Sequence, residues 1–223
     1  MNKTLILFFC MLISIGTFAQ TSKSDPVDGE GWYSATLKLD LPKKWEASFQ
    51  YEARFWNNLQ NYYGSYVSVG ANKQINKHLD LSAEYRMAFF DDGITYRYTL
   101  GGEANTKLNK KFSGSARLLF QNRVQDEYDP SLATESVIFW RVRGQLKYEA
   151  SKKIDLYGSV EPIMAIGGNS FVDNWRNIIG VKYKINKKTK VDLSYMYRPD
   201  YGKRTYNRTF HVIGFNLSYR LKP

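Results

Sequence analysis

Apolar and polar side chains alternate with a period of two residues along most of the chain. From Trp45 to Phe55, the odd positions hold Trp, Ala, Phe, Tyr, Ala and Phe, and the positions between them hold Glu, Ser, Gln, Glu and Arg. The same alternation runs through residues 79–89 and 213–221. A period of two is typical of a β-strand whose two faces meet different surroundings. The pattern therefore predicts a protein built from β-strands.

Short turns divide the strands into pairs. Five segments rich in lysine and in turn-forming Asn, Ser or Pro recur at 33 to 42 residues between their central lysines, over residues 41–45, 75–79, 108–112, 150–154 and 185–189. The connections between them are more variable, and they fall at residues 57–61, 91–93, 126–135, 167–172 and 202–206. This spacing predicts an array of hairpins, with tight turns at one end and longer loops at the other.

The apolar faces decide how these hairpins assemble. They carry too many bulky side chains to fit inside a barrel of this size, so we expect them to point outward into lipid. The alternative is a soluble barrel with an apolar interior. An open sheet edge in lipid would leave backbone groups unpaired, so the sheet must close. We predict an all-β, antiparallel, up-and-down transmembrane β-barrel of about 12 strands, within a range of 10 to 12, with short periplasmic turns and longer extracellular loops.

Aromatic residues are expected to form two girdles at the membrane boundaries. The predicted girdle residues are Trp45, Phe55, Phe89, Tyr96, Phe112, Trp140, Tyr148, Trp175, Tyr183 and Tyr219. Eleven strands are clear, the first beginning at Trp32, whereas bacterial barrels normally have an even number. The polar segment 20–31 is therefore expected to form either an extra strand or a plug in the lumen.

The first nineteen residues have the features of a cleavable signal peptide. Lys3 precedes an apolar run from Leu5 to Ile15, and the small residues Thr17 and Ala19 fit a cleavage site after residue 19. The predicted layout is a signal peptide at 1–19, the polar segment at 20–31 and one barrel domain at 32–223. The expected location is the outer membrane.

The formal net charge of +11 changes this picture little. An excess of positive charge often indicates nucleic-acid binding. Because the protein is expected to be exported, nucleic acid is not an expected partner. The expected partners are outer-membrane lipid, lipopolysaccharide and the barrel-assembly machinery, and the turn lysines can meet anionic head groups at the periplasmic boundary. No cofactor or metal is expected, and the small-molecule cargo stays open.

The polar faces carry nearly balanced acids and arginines, which the barrel would direct into its lumen. The predicted lumen residues are Glu46, Glu52, Arg54, Glu84, Arg86, Arg97, Glu103, Arg117, Arg123, Arg141, Arg143, Glu161, Arg176 and Arg198. In the favoured interpretation, arginine–carboxylate pairs fill a narrow barrel with a structural or interaction role. The alternative is a small porin-like channel for small polar or anionic solutes.

A lipid-modifying hydrolase of the outer membrane is the third possibility. Such an enzyme would pair a histidine with a serine two residues further along the same strand face. The chain has two histidines, His78 and His211, and the position two residues after His211 holds Ile213. The sequence therefore predicts a protein without enzymatic activity and without catalytic residues.

One family resemblance accompanies these patterns. Trp32, the Lys43-Lys44-Trp45 turn and the strand from Phe49 to Phe55 resemble a family of Bacteroidota outer-membrane proteins known as domain of unknown function 2490. The resemblance extends from about residue 32 to residue 221. It implies an outer-membrane barrel and implies no activity.

Overall fold

A computed structural model describes residues 27–128, 134–166, 172–201 and 207–221. The predicted signal peptide and residues 20–26 lie outside this range. Eleven strands make up the described chain: β1 Val27–Leu41, β2 Trp45–Trp56, β3 Asn61–Gln74, β4 Leu79–Phe89, β5 Gly93–Lys107, β6 Phe112–Glu127, β7 Glu135–Glu149, β8 Ile154–Ile166, β9 Asn174–Lys184, β10 Thr189–Asp200 and β11 Arg208–Leu221. No helix in the described parts is both long enough and apolar enough to cross a membrane.

The strands form a closed barrel. Each strand is antiparallel to its neighbours in sequence, and β1 closes the barrel by pairing in parallel with β11, from Val27 opposite Thr209 to Leu39 opposite Leu221. The all-β barrel and its strand number within the range of 10 to 12 are confirmed. The one parallel pairing lies at this seam, because an odd number of up-and-down strands brings the first and last together in the same direction.

The first strand begins earlier than predicted. Residues 27–31, which the sequence assigned to a polar segment, continue β1 in register with β11. Their polar side chains have specific partners: the Asp28 carboxylate accepts hydrogen bonds from the backbone N–H groups of Asn57 and Asn58 at 3.1 and 3.0 Å. Glu30 forms an ion pair with Arg198 at 2.9 Å. The described part of the segment therefore adds no separate strand.

One end of the barrel, here called the short-turn end, repeats one local structure. The side-chain oxygen of Asn76 accepts hydrogen bonds from the backbone N–H groups two and three residues later. Asn109, Ser151 and Asn186 do the same in their turns. The first turn instead contains a 3-10 segment, Pro42–Lys44. These residue types favour such turns because a short polar side chain can replace a backbone acceptor.

The opposite, or loop, end is less uniform than predicted. The connection after β2 spans only residues 57–60, and Asn57, Asn58 and Leu59 adopt positive φ angles there. The connection after β4 spans residues 90–92. Two of the loop-end connections are therefore as short as the turns, whereas those after β6, β8 and β10 are longer.

The outer surface of the barrel is apolar. Leu100, Leu118 and Leu193 each expose about half or more of their surface, at 60%, 49% and 52%. The buried apolar side chains instead lie inside the barrel, toward the loop end, where Met196, Phe210 and Val212 form a cluster against Trp32 and Ile178. The barrel therefore has an apolar exterior, a largely polar interior and a small apolar cluster within that interior.

Candidate functional site

A cavity of about 840 Å³ lies inside the barrel. It extends from the short-turn end, where Asp40, Glu46 and Arg220 border it, to the middle of the barrel. Its walls in the short-turn half carry charged and amide side chains together with small ones such as Ser48, Gly70 and Ser82. We call this space the chamber.

The loop-side half of the lumen is filled by stacked side chains. The guanidinium carbon of Arg54 lies 3.6 Å from the ring centre of Trp32 and 3.9 Å from that of Tyr66. Arg198 lies 4.2 Å from the ring centre of Phe210 and 5.6 Å from that of Trp32. We call these five residues the aromatic–arginine layer. Cation–π contacts of this kind hold guanidinium groups against rings, and here they join five strands across the loop-side lumen.

Two carboxylates organise the charges at the inner end of the chamber. Glu161 on β8, only 2% exposed, accepts ion-paired hydrogen bonds from Arg117 at 2.8 Å and Arg141 at 2.9 Å. Glu52 pairs with Arg54 at 2.6 Å and lies 3.9 Å from Arg86. Nearer the short-turn end, Glu103 pairs with Arg143 at 2.9 Å. Arginine–carboxylate pairing, the basis of the favoured interpretation of the sequence, is present in the lumen.

Two inner arginines differ from the others. Among the described residues, Arg97 on β5 and Arg176 on β9 have no carboxylate within 4.0 Å. Four further arginines border the inner part of the chamber with them, Arg54, Arg86, Arg117 and Arg141. The inner end of the chamber therefore carries more positive than negative charge.

All fourteen predicted lumen residues lie on inward-facing positions. Ten border the chamber directly: Glu46, Glu52, Arg54, Glu84, Arg86, Arg97, Glu103, Arg117, Arg141 and Arg176. Arg143 and Glu161 pair with members of this set. Arg123 lies 5.0 Å from the ring centre of Phe139, and Arg198 belongs to the aromatic–arginine layer. The structure thus brings the inner members together and leaves Arg123 apart from them.

The predicted girdle residues lie on the outer face. Six are exposed: Trp45, Phe89, Phe112, Trp140, Tyr183 and Tyr219. The other four are partly buried: Phe55, Tyr96, Tyr148 and Trp175. Ring contacts account for part of this burial, because Tyr148 packs against Phe112 with ring centres 4.8 Å apart and Phe55 packs against Tyr33 at 5.7 Å.

The inward aromatic residues were missed by the sequence analysis. Three aromatic residues stand at positions of the alternation that face the lumen: Trp32, Phe139 and Phe210. Each therefore interrupts the polar face of its strand. That break was the available signal. Its meaning depends on which rings meet across the lumen, and strand parity alone does not give this.

Neither histidine has a hydrogen bond to a serine side chain in the described part of the chain. His78 lies in a turn, with Nδ1 3.0 Å from the backbone oxygen of Asn105. His211 lies on the outer face, where its Nδ1 is 2.6 Å from the hydroxyl of Tyr195. Among the described residues, no three His, Cys, Asp or Glu side chains lie together as a metal site requires.

The closed sheet and its polar lumen define the class: this is a porin-like β-barrel. Its fold is similar to that of the NanC porin, solved in a rhombohedral crystal form, with a TM-score of 0.51 and 14% sequence identity over 76% of this chain and 86% of that chain. At this identity the likeness concerns the fold alone.

The family follows from the sequence. The chain belongs to the family described as protein of unknown function, DUF2490, whose sequence model matches residues 29–209. No curated protein matches the sequence.

Proposed function

We propose that the protein is an integral outer-membrane barrel with a narrow, porin-like lumen, which admits small polar solutes and restricts their passage at the aromatic–arginine layer. The observation that carries this proposal is the combination of an apolar exterior with a polar chamber of about 840 Å³. A soluble protein rarely exposes a continuous apolar surface over its whole circumference, and lipid is the environment that such a surface fits.

The exterior supports insertion into a bilayer. Large apolar side chains are exposed on every strand, including Phe49, Val69, Leu146 and Ile179. A closed barrel also leaves no unpaired edge that lipid would have to cover. Outer-membrane lipid, lipopolysaccharide and the assembly machinery are then the natural partners, and residues 1–19 serve as the export signal.

The lumen supports a restricted path rather than a wide pore. Inward side chains at the loop side are tightly packed, with Val212 1%, Phe139 2% and Tyr66 4% exposed. The chamber, in contrast, is open enough for a small solute and is lined by charged and amide groups. Selectivity in such lumens comes from their diameter and from the charges along them. The proposal includes no catalysis, because His211 is paired with Tyr195 on the outer face.

Conductance across planar bilayers tests this function. We expect the native protein to give small unitary currents and Trp32→Ala to increase them severalfold, because that substitution removes the ring against which Arg54 and Arg198 stack. Trp140→Ala is the matched control, since it removes the same kind of ring from the outer face. Equal currents from both variants, or none from any form, would overturn the proposal.

Membrane location is measured separately. We expect the protein to stay in the membrane pellet after urea extraction and to migrate faster on gels before heating than after it, as closed barrels do. Recovery of the mature chain as a detergent-free soluble monomer would contradict membrane insertion.

A further inference from the structure

The charges at the inner end of the chamber do not balance. Six arginines border it there, and we call them the arginine cluster: Arg54, Arg86, Arg97, Arg117, Arg141 and Arg176. Three carboxylates already face members of this cluster: Glu52 and Glu161 each face two arginines, and Glu84 lies 3.5 Å from Arg86. Since none of the three lies within 4.0 Å of Arg97 or Arg176, the cluster keeps a positive surplus.

The surplus converges on one place. Arg97 projects from β5 and Arg176 from β9, and Arg141 on β7 lies between them in strand order. All three border the chamber, and Arg141 pairs with Glu161, which lies opposite Arg176 in the pairing of β8 with β9, so the three side chains share one region of the lumen. The Nε atoms of all three are buried and have no hydrogen-bond partner among the described residues, as is also true of Arg117, Arg143 and Arg198. For Arg97 and Arg176, which have no carboxylate within 4.0 Å in the described chain, such burial is costly without a counter-charge.

The shape of the site points to the missing partner. A guanidinium group is planar, remains charged and presents its donors in a fork that matches carboxylate and phosphate oxygens. Two such forks that form no ion pair within 4.0 Å in the described chain fit an anion with at least two oxygen atoms. Two acids at the mouth of the chamber are paired with cations, since Arg220 pairs with Asp40 and Glu46, and Lys38 also pairs with Glu46.

We propose that Arg97, Arg141 and Arg176 form a binding site for a compact oxyanion, a phosphate or a carboxylate-bearing small molecule, that enters from the short-turn end. The site deepens the proposed function, on which it rests for the route of the solute. It also gives that function a substrate class, because anions are the polar solutes that the inner end of the chamber attracts.

Calorimetric titration of the purified barrel in a non-ionic detergent tests the site. Inorganic phosphate is one probe and succinate the other, both at an ionic strength held constant with sodium chloride. We expect saturable binding of at least one probe, and the tighter probe identifies the favoured oxyanion. The double substitution Arg97→Gln and Arg176→Gln is expected to weaken that binding at least tenfold. Lys147→Gln, which removes a positive charge paired with Glu149, is the control and is expected to bind normally.

A second variant keeps the test independent of any folding defect. Arg141 donates a hydrogen bond to the side-chain oxygen of Gln121 at 3.0 Å, so Gln121→Glu adds a carboxylate with no change in size. We expect this substitution to weaken phosphate or succinate binding at least tenfold while the barrel keeps its thermal stability. Binding that is unsaturable in the native protein, or unchanged in both the double variant and Gln121→Glu, would overturn the site.

The results separate the two proposals. Native currents across bilayers without saturable anion binding would remove the site and leave the restricted channel. Saturable binding without currents from any form would retain the site and remove the channel.

Discussion

Replacement of Glu161 with Gln should be among the most destabilising single changes in the lumen. Its carboxylate is almost completely buried and receives ion-paired hydrogen bonds from both Arg117 and Arg141. The substitution keeps the size of the side chain but leaves two guanidinium groups without their counter-charge. Removing one partner from a buried ion pair costs about 3 to 5 kcal/mol. We therefore expect a loss of about that size in the free energy of unfolding.

Urea unfolding of the refolded barrel in detergent micelles measures this loss. With a slope of about 2 kcal/mol per molar urea, a loss of 4 kcal/mol lowers the midpoint by about 2 M. The matched control is Glu149→Gln, whose pair with Lys147 at 3.2 Å is solvent-exposed. Exposed pairs contribute about 0 to 1 kcal/mol, so the control midpoint should hardly move. Midpoints for the two variants that differ by less than the equivalent of 1 kcal/mol would refute the reasoning.

Three further substitutions test other parts of the barrel. Gly101→Ala should lower the free energy of unfolding by about 1 to 3 kcal/mol relative to Gly144→Ala in the same urea assay. The reason is that an added Cβ at position 101 would lie 2.2 Å from the backbone oxygen of Leu118, whereas the space at position 144 is open. Equal midpoints for the two variants would contradict this. Leu118→Arg should cost about 2 to 4 kcal/mol when unfolding is measured from lipid vesicles, and no loss would place Leu118 outside the bilayer. Asn216→Ala should lower the free energy of unfolding by about 2 kcal/mol, because it removes two hydrogen bonds across the β1–β11 seam, to the hydroxyl groups of Ser34 and Thr36, and each contributes about 1 kcal/mol. An unchanged midpoint would show that these hydrogen bonds do not stabilise the seam.

The strands could be predicted from sequence because the surroundings impose the alternation directly. Every residue between Trp45 and Phe55 faces one of two environments, so the pattern identifies both the strand and its inward face. The start of β1 was placed five residues late because Asp28 and Glu30 look like a polar leader. Their partners, the turn at Asn57 and the guanidinium of Arg198, are distant in sequence.

The parallel pairing at the seam and the charge surplus could not be predicted in this way. Turn chemistry specifies hairpins between neighbouring strands, and no local pattern indicates that β1 and β11 pair in parallel. The sequence identified Glu161 and Arg117 as lumen residues, but they are 44 residues apart in the chain and lie on β8 and β6, which are not neighbouring strands. Which arginines keep a carboxylate, and which do not, depends on how the side chains meet across the lumen.

The parallel seam has a topological consequence for protein engineering. The N-terminus of β1 and the C-terminus of β11 leave the barrel at opposite rims, since thirteen consecutive residues of each strand pair in the same direction. At about 3.3 Å per residue, a peptide that joined the two termini would have to run about 40 Å along the barrel. Circular permutants therefore need a long tether, and epitope tags fused at the two ends would be displayed at opposite rims of the barrel.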